Sequence, residues 1–220
     1  MTAFDTQKAR FNMIEQQIRP WNVLDGDVLE LLSSLNRHEF VPAAHRSLAY
    51  ADLEIPLPGG QCMLAPRLEA RLLQDLAVQK TENVLEIGAG SGFMAALLAA
   101  RARNVLSLEI NPELVELARA NLKKAGVGNA EVRQADGAKG GAKDGPFDVI
   151  LLSGSVAQIP HDLLNQLKIG GRLAAIVGDE PVMQATIITR TSATDFRTTT
   201  PWDANAPRLQ GFAQPSRFQF

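Results

Sequence analysis

The run Val84-Leu85-Glu86-Ile87-Gly88-Ala89-Gly90-Ser91-Gly92-Phe93 constrains the fold more than any other stretch of the chain. Apolar residues lead into three alternating glycines, and an uncharged apolar run, Met94 to Leu98, follows them. A strand that feeds a glycine-rich turn and then a helix presents backbone N–H groups to a ligand, and the missing Cβ atoms let that ligand approach closely. Units of this kind build sheets of parallel strands covered by helices. The spacing departs from the dinucleotide pattern G-x-G-x-x-G. Phe93 stands where that pattern needs its last glycine and Gly92 comes one residue early, which argues against NAD.

Strands and helices alternate from there on. Residues 83–87 read as a first strand, 93–101 as a helix and 105–108 as a second strand ending at Glu109. Asn111-Pro112-Glu113 is a helix start, with a capping Asn, a Pro in the first turn and an acid beside the helix N-terminus. Leu114, Leu117, Ala118 and Leu122 recur at helical spacing until Gly126 ends the helix. Strands follow at 130–134, at 147–152 and, after a Gly170-Gly171 turn, at 172–177; residues 183–191 and 196–199 read as an antiparallel edge. The expected fold class is α/β: a Rossmann-like, mainly parallel twisted sheet with helices on both faces. The first 80 residues differ, with amphipathic helices at 6–18 and 25–35, an irregular Pro/Gly segment at 56–66 and a helix at 67–77. They read as an N-terminal helical cap.

A chain of 220 residues is expected to form a single domain, with cap and substrate segment over 1–80, the core over 81–200 and a tail over 201–220. The one cysteine, Cys62, excludes an internal disulfide framework and fits a reducing compartment. Charges interrupt the N-terminus where a signal peptide is apolar, and no apolar run approaches a spanning length of ~18 residues. The expectation is a cytoplasmic protein without a membrane partner, a monomer or weak dimer. A net charge of −2 gives no general attraction to nucleic acid, and Leu151-Leu152-Ser153-Gly154 offers a flipped base nothing to stack on.

In an open parallel sheet, ligands sit at the carboxyl ends of the strands, and the acids of this chain fall there. Glu86 lies in an apolar strand, where a carboxylate is expensive unless paired. A loop N–H or the ammonium of a cofactor with an amino-acid end would pair it. Glu109, at the next strand tip, is placed to accept both hydroxyls of a ribose, and Asp136, followed by Gly137, to accept from an adenine amino group. Ribose, adenine and an amino-acid end describe S-adenosylmethionine, with Gly88, Gly90, Ser91 and Gly92 as the turn around it. Each residue has a plainer reading as an exposed acid or a tight turn; their regular recurrence favours the ligand roles.

Methyl transfer from a sulfonium is an in-line displacement that neutralises charge, so orientation and exclusion of water carry most of it. Catalytic residues stay unassigned. His38, His45 and His161 lack companions at triad or ligand spacing, Cys62 beside Met63 and Leu64 reads as packed, and no Cys pair or H-x-x-x-H supports a metal. The lack of a base favours an acceptor already ionised at neutral pH, a carboxylate.

Over Leu35 to Val177 the chain carries Arg37-His38-Glu39-Phe40-Val41, Tyr50-Ala51-Asp52, Gly59-Gly60-Gln61, the glycine run, Asp136-Gly137, Pro146-Phe147-Asp148 and Ile159-Pro160. In these segments it resembles the protein-L-isoaspartate O-methyltransferases, which use S-adenosylmethionine to methylate isoaspartyl carboxylates of damaged proteins and so start their repair. The resemblance implies that Glu86, Gly88, Gly90, Glu109 and Asp136 line the cofactor site. It also implies that the acceptor, an isoaspartyl protein or peptide, is held near Gly60, Gln61, Cys62, Leu64, Ser153 and Ser155.

The match departs at the acceptor. Where the family reads Thr-Ile-Ser-Gln-Pro after Gly-Gln, this chain reads Cys62-Met63-Leu64-Ala65-Pro66, so both hydroxyls are gone. The fourth strand ends in Ser153-Gly154-Ser155 instead of Thr-Ala-Ala, and the tail with Trp202, Phe212, Phe218 and Phe220 matches loosely. Two alternatives follow. One is a methyltransferase of the same ancestry acting on a small apolar acceptor, the other a cofactor-binding protein without turnover.

Overall fold

The computed structural model describes residues 3–214. Phe218 and Phe220 of the aromatic tail lie outside the described residues.

The chain starts as α1 (Ala3–Met13), which continues through a π-helical stretch at Ile14–Ile18, and α2 (Gly26–Ser34). Asp25 caps α2 by accepting from the Val28 N–H at 3.1 Å. A two-stranded ribbon of β1 (Ile55–Pro56) and β2 (Cys62–Met63) leads to α3 (Pro66–Leu76), with Pro66 in its first turn. Then come β3 (Asn83–Ile87), α4 (Phe93–Ala99), β4 (Asn104–Glu109), α5 (Pro112–Lys124) and β5 (Ala130–Gln134). The last elements are β6 (Phe147–Val156), α6 (His161–Leu164), β7 (Leu167–Asp179), β8 (Val182–Arg190) and β9 (Phe196–Asp203).

The main sheet has the order β5-β4-β3-β6-β7-β8-β9. Its first five members are parallel, and β8 and β9 complete it antiparallel. The order reverses between β3 and β6, and a crevice outside the strand ends forms at such a reversal.

Coverage of the two faces is unequal. Val84, Val105, Val149 and Leu151 pack on one side with residues of α3, α4 and α5 and of the cap. Leu85, Ile87, Leu106, Leu108, Ile150 and Leu152 pack on the other, where the cover is Leu163 and Leu164 of the short α6 together with Phe212. Strict alternation along β3 puts Glu86 on the Val84 side, among the helices, and Ser107 of β4 is its register partner.

Three boundaries differ from the sequence expectation. The fourth strand runs on to Val156, so Ser153, Gly154 and Ser155 lie inside β6 and not past its end. The Gly170-Gly171 turn lies inside β7, where the β6–β7 register shifts between Phe147 and Val149; Gly170 takes φ +83° there. The expected tail at 201 begins within β9. Trp202 is a sheet residue whose indole N–H donates to Asp75 Oδ2 at 2.6 Å.

Candidate functional site

A cleft opens at the carboxyl ends of β3, β4 and β6. Its lining includes Gly88, Gly90, Glu109, Ile110, Leu114, Gly137 and Ser153 from the core, Gln61 and Cys62 from the ribbon, and Leu209 and Gln210 from the C-terminal segment.

Glu109, the last residue of β4, is 6% exposed and its carboxylate is fixed by backbone. Oε2 accepts from the Gly90 N–H and Oε1 from the Asn111 N–H, each at 3.0 Å. Each oxygen keeps a further acceptor site for donors arriving from the cleft. Gly90 has φ +52° and Gly88 φ +94°, conformations that favour glycine and aim the turn at the cleft. A Cβ on Gly137 would run into Ile87 Cγ2, so glycine is needed where the segment after β5 crosses β3.

Glu86 does not reach the cleft. Its side chain is fully buried and accepts hydroxyls from Ser107 at 2.6 Å and Ser153 at 2.8 Å. Burial pushes its carboxyl up to about 8, against the two hydroxyl bonds, which favour the charged form. The paired acid expected inside an apolar strand is thus satisfied by two serines. Ser153 is correspondingly engaged with Glu86, although it lines the cleft.

Ser91, Gly92 and Asp136 also stand away from the lining. Ser91 is buried with its carbonyl accepting from Asn121 at 2.9 Å. Gly92 abuts α5, where a Cβ would lie 3.1 Å from the Ala118 carbonyl. Asp136 caps the turn Gly137–Lys139 through the Ala138 N–H at 3.1 Å and pairs with Lys139 at 3.3 Å.

In the ribbon, the Cys62 thiol donates to the Glu54 carboxylate at 3.7 Å. Burial first and Glu54 second push the thiol up to about 12, so it is mostly protonated near neutral pH and reacts slowly. Leu64 is 4% exposed and packs in the core, outside the cleft lining, while Gly60 takes φ +70° in the turn of the ribbon. Ser155 is fully buried and its backbone docks the C-terminal segment: its N–H donates to the Pro207 carbonyl at 2.7 Å and its carbonyl accepts from Leu209 at 2.9 Å.

Sequence reasoning missed that segment. Arg208 anchors it through Asp179 at 2.6 Å and the Gly178 carbonyl at 2.9 Å. Leu209 then enters the cleft, where a Cβ on Gly88 would lie 2.7 Å from its Cδ2. The free volume left is about 40 Å³, against roughly 300–1,000 Å³ for ordinary small-molecule sites. No periodicity marks 204–212 in the sequence, and the one available signal was an arginine followed by an isolated apolar residue.

Among the described residues, no three His, Cys, Asp or Glu side chains gather as metal ligands, and no helix is long and apolar enough to cross a membrane.

A model of the protein-L-isoaspartate(D-aspartate) O-methyltransferase family matches residues 8–200. A Koribacter versatilis protein-L-isoaspartate O-methyltransferase is 39% identical over 193 residues, 88% of this chain and 86% of the relative. One from Syntrophobacter fumaroxidans is 40% identical over 182 residues, 83% of this chain and 85% of the relative. Among solved structures, a Plasmodium falciparum chain described as a protein-L-isoaspartate O-methyltransferase in complex with S-adenosyl-L-homocysteine superposes with a TM-score of 0.77. That match has 18% identity and covers 94% of this chain and 98% of the other, a likeness of fold.

Proposed function

The chain belongs to the protein-L-isoaspartate(D-aspartate) O-methyltransferase family and is a methyltransferase, and from that premise we propose that it transfers methyl groups from S-adenosylmethionine to isoaspartyl carboxylates of damaged proteins. The observation that carries the reading is the 39% identity over 88% of the chain to a relative named for that activity. The reading extends to a cytoplasmic enzyme, a monomer or weak dimer, in which cap, core and tail work as one unit.

The residues of the cleft fit the cofactor. Glycine backbone that admits close approach stands beside an acceptor-only carboxylate, Glu109, whose two oxygens suit two neighbouring hydroxyls. S-adenosylmethionine, when bound, supplies a methyl group on a positively charged sulfur. Glu109 would hold the ribose, Gly88 and Gly90 the amino-acid end, and Gly137 the adenine side. Leu209, Ile110 and Leu114 keep water from the reacting atoms. Leu209 packs against Gly88 at the edge of this site. An acceptor carboxylate is ionised at neutral pH, so no protein base is needed.

A second reading draws on Cys62 and Leu64. A thiol held by Glu54 and a buried leucine offer an acceptor carboxylate no hydroxyl, and they suit a small apolar acceptor instead. The double substitution Leu64→Ser with Cys62→Thr separates the two. On an isoaspartyl peptide, turnover by the natural chain should be slow and should rise on the order of 10²-fold in the double variant, the usual worth of one transition-state donor. Absence of turnover before and after the substitutions, with cofactor binding intact, overturns the carboxyl-transfer reading.

A further inference from the structure

Arg37 is the largest side chain that the structure buries completely, at 1% exposure, although it carries a permanent charge. Its Nη1 pairs with the carboxylate of Glu69 on α3, itself 4% exposed. Its Nη2 donates to the backbone carbonyl of Leu64 at 2.7 Å. The guanidinium plane also lies over Phe93, the first residue of α4, with Cζ 4.9 Å from the ring centroid. One cation of the cap thus touches the acceptor segment, the helix that follows that segment and the helix that follows the glycine turn.

The segment needs such a hold. β2 pairs with only Ile55 and Pro56, and Pro56 has no N–H to give the ladder. A two-stranded ribbon of this length does not fix its own position. Stability alone is a poor reason for the pair, because a buried ion pair is often no better for folding than apolar residues of the same volume. A planar fork with one arm on a carboxylate and the other on a carbonyl orients the backbone between them.

We propose that Arg37, with Glu69 as its counter-ion, is a positioning residue that sets the backbone of Cys62 to Leu64 against the cleft and so places the acceptor. The proposal rests on the reading that the acceptor meets this segment. It acts through the backbone; Arg37 touches neither substrate nor cofactor.

The test uses the full chain and two variants, Glu69→Gln, which keeps the shape and removes the counter-charge, and Arg37→Lys, which keeps the charge and loses the fork. Burial lifts the Glu69 carboxyl and the guanidinium pulls it back, so the comparison is made above neutral pH, where the pair is charged. Cys62, the chain's one thiol, reports on the segment without any acceptor. Its alkylation by iodoacetamide should quicken about tenfold in both variants, the factor that loss of one buried hydrogen bond of ordinary worth produces. KM for an isoaspartyl peptide should rise by a similar factor, with kcat and calorimetric affinity for S-adenosylhomocysteine within about twofold. Ile150→Val, in the opposite core, supplies the control for general loosening and should leave thiol reactivity unchanged.

Unchanged thiol reactivity and KM in a folded Glu69→Gln variant would overturn the proposal, as would a rise matched by the Ile150→Val control. If the natural chain methylates no isoaspartyl peptide, the acceptor reading fails by itself, and the alkylation rates still decide whether Arg37 holds the segment.

Discussion

Glu109 and Glu86 are both strand acids beside the same glycine turn, and their surroundings give them different tasks. Glu109 is pinned by two backbone N–H groups and keeps acceptor capacity toward the cleft. Glu109→Ala should therefore weaken S-adenosylhomocysteine binding by about 1.5–3 kcal/mol, the worth of hydrogen bonds to a charged acceptor. Calorimetry showing equal affinity would remove Glu109 from the site. Glu86 is held by two serine hydroxyls in the sheet, with its carboxyl lifted from 4.5 to about 8. A carboxyl raised on folding binds a proton that the unfolded chain releases. The stability it confers is complete below about pH 4.5 and lost as pH rises through 8, at up to about 1.4 kcal/mol per unit. Glu69 shifts in the same direction; Glu82, Glu131 and Asp148 shift oppositely and act only in acid. Urea melts between pH 6 and 9 should show the natural chain losing stability and Glu86→Gln losing clearly less. Parallel profiles would mean that Glu86 is ionised throughout. The sequence shows that Glu86 needs a partner, because the cost of a buried carboxylate is local physics. Which partner depends on Ser107 and Ser153, brought in by two neighbouring strands, and no local pattern reveals them.

At the scale of elements, the glycine turn divides its labour. Gly88 and Gly90 border the cleft, while Gly92 lets α4 approach α5, with φ +84° and the Ala118 backbone about to meet any side chain. Gly92→Ala should lower stability by about 1–2 kcal/mol through the left-handed conformation alone, measurable as a fall in the urea midpoint. An unchanged midpoint would show that the α4–α5 contact yields freely. The seven strands of the main sheet and α2, α3, α4 and α5 could be located from the sequence, because periodicity and the cap at Asn111 act locally; β6 and β9 run four residues past the ends read for them, β7 starts five residues earlier than read, and the β1–β2 ribbon lies in a segment read as irregular. Ser153 and Ser155 were expected beyond the fourth strand because a Ser-Gly-Ser run reads as loop. Ser155 pairs instead with Ile176 of β7 and with the Pro207–Leu209 segment, backbone partners from far along the chain, while Ser153 lies in the irregular stretch between Leu151 and Ser155. The plug at Leu209 was illegible for the same reason: its meaning comes from Gly88, over a hundred residues earlier.

At the scale of the molecule, the strand order β5-β4-β3-β6-β7 turns the tips of β3, β4 and β6 toward one crevice, and the cap lays the ribbon with Gln61 and Cys62 along its rim. The glycine turn, the Glu109 carboxylate and the ribbon converge there although 76 residues separate Gln61 from Gly137. The central claim is that this crevice moves a methyl group onto an isoaspartyl carboxylate. The most direct measurement gives the natural chain S-adenosylmethionine with two peptides that differ only in one isoaspartyl or normal aspartyl linkage, and follows the methyl ester by mass spectrometry. Ester on the isoaspartyl peptide alone is the expected result; no ester on either peptide, from a protein that binds the donor, contradicts the account.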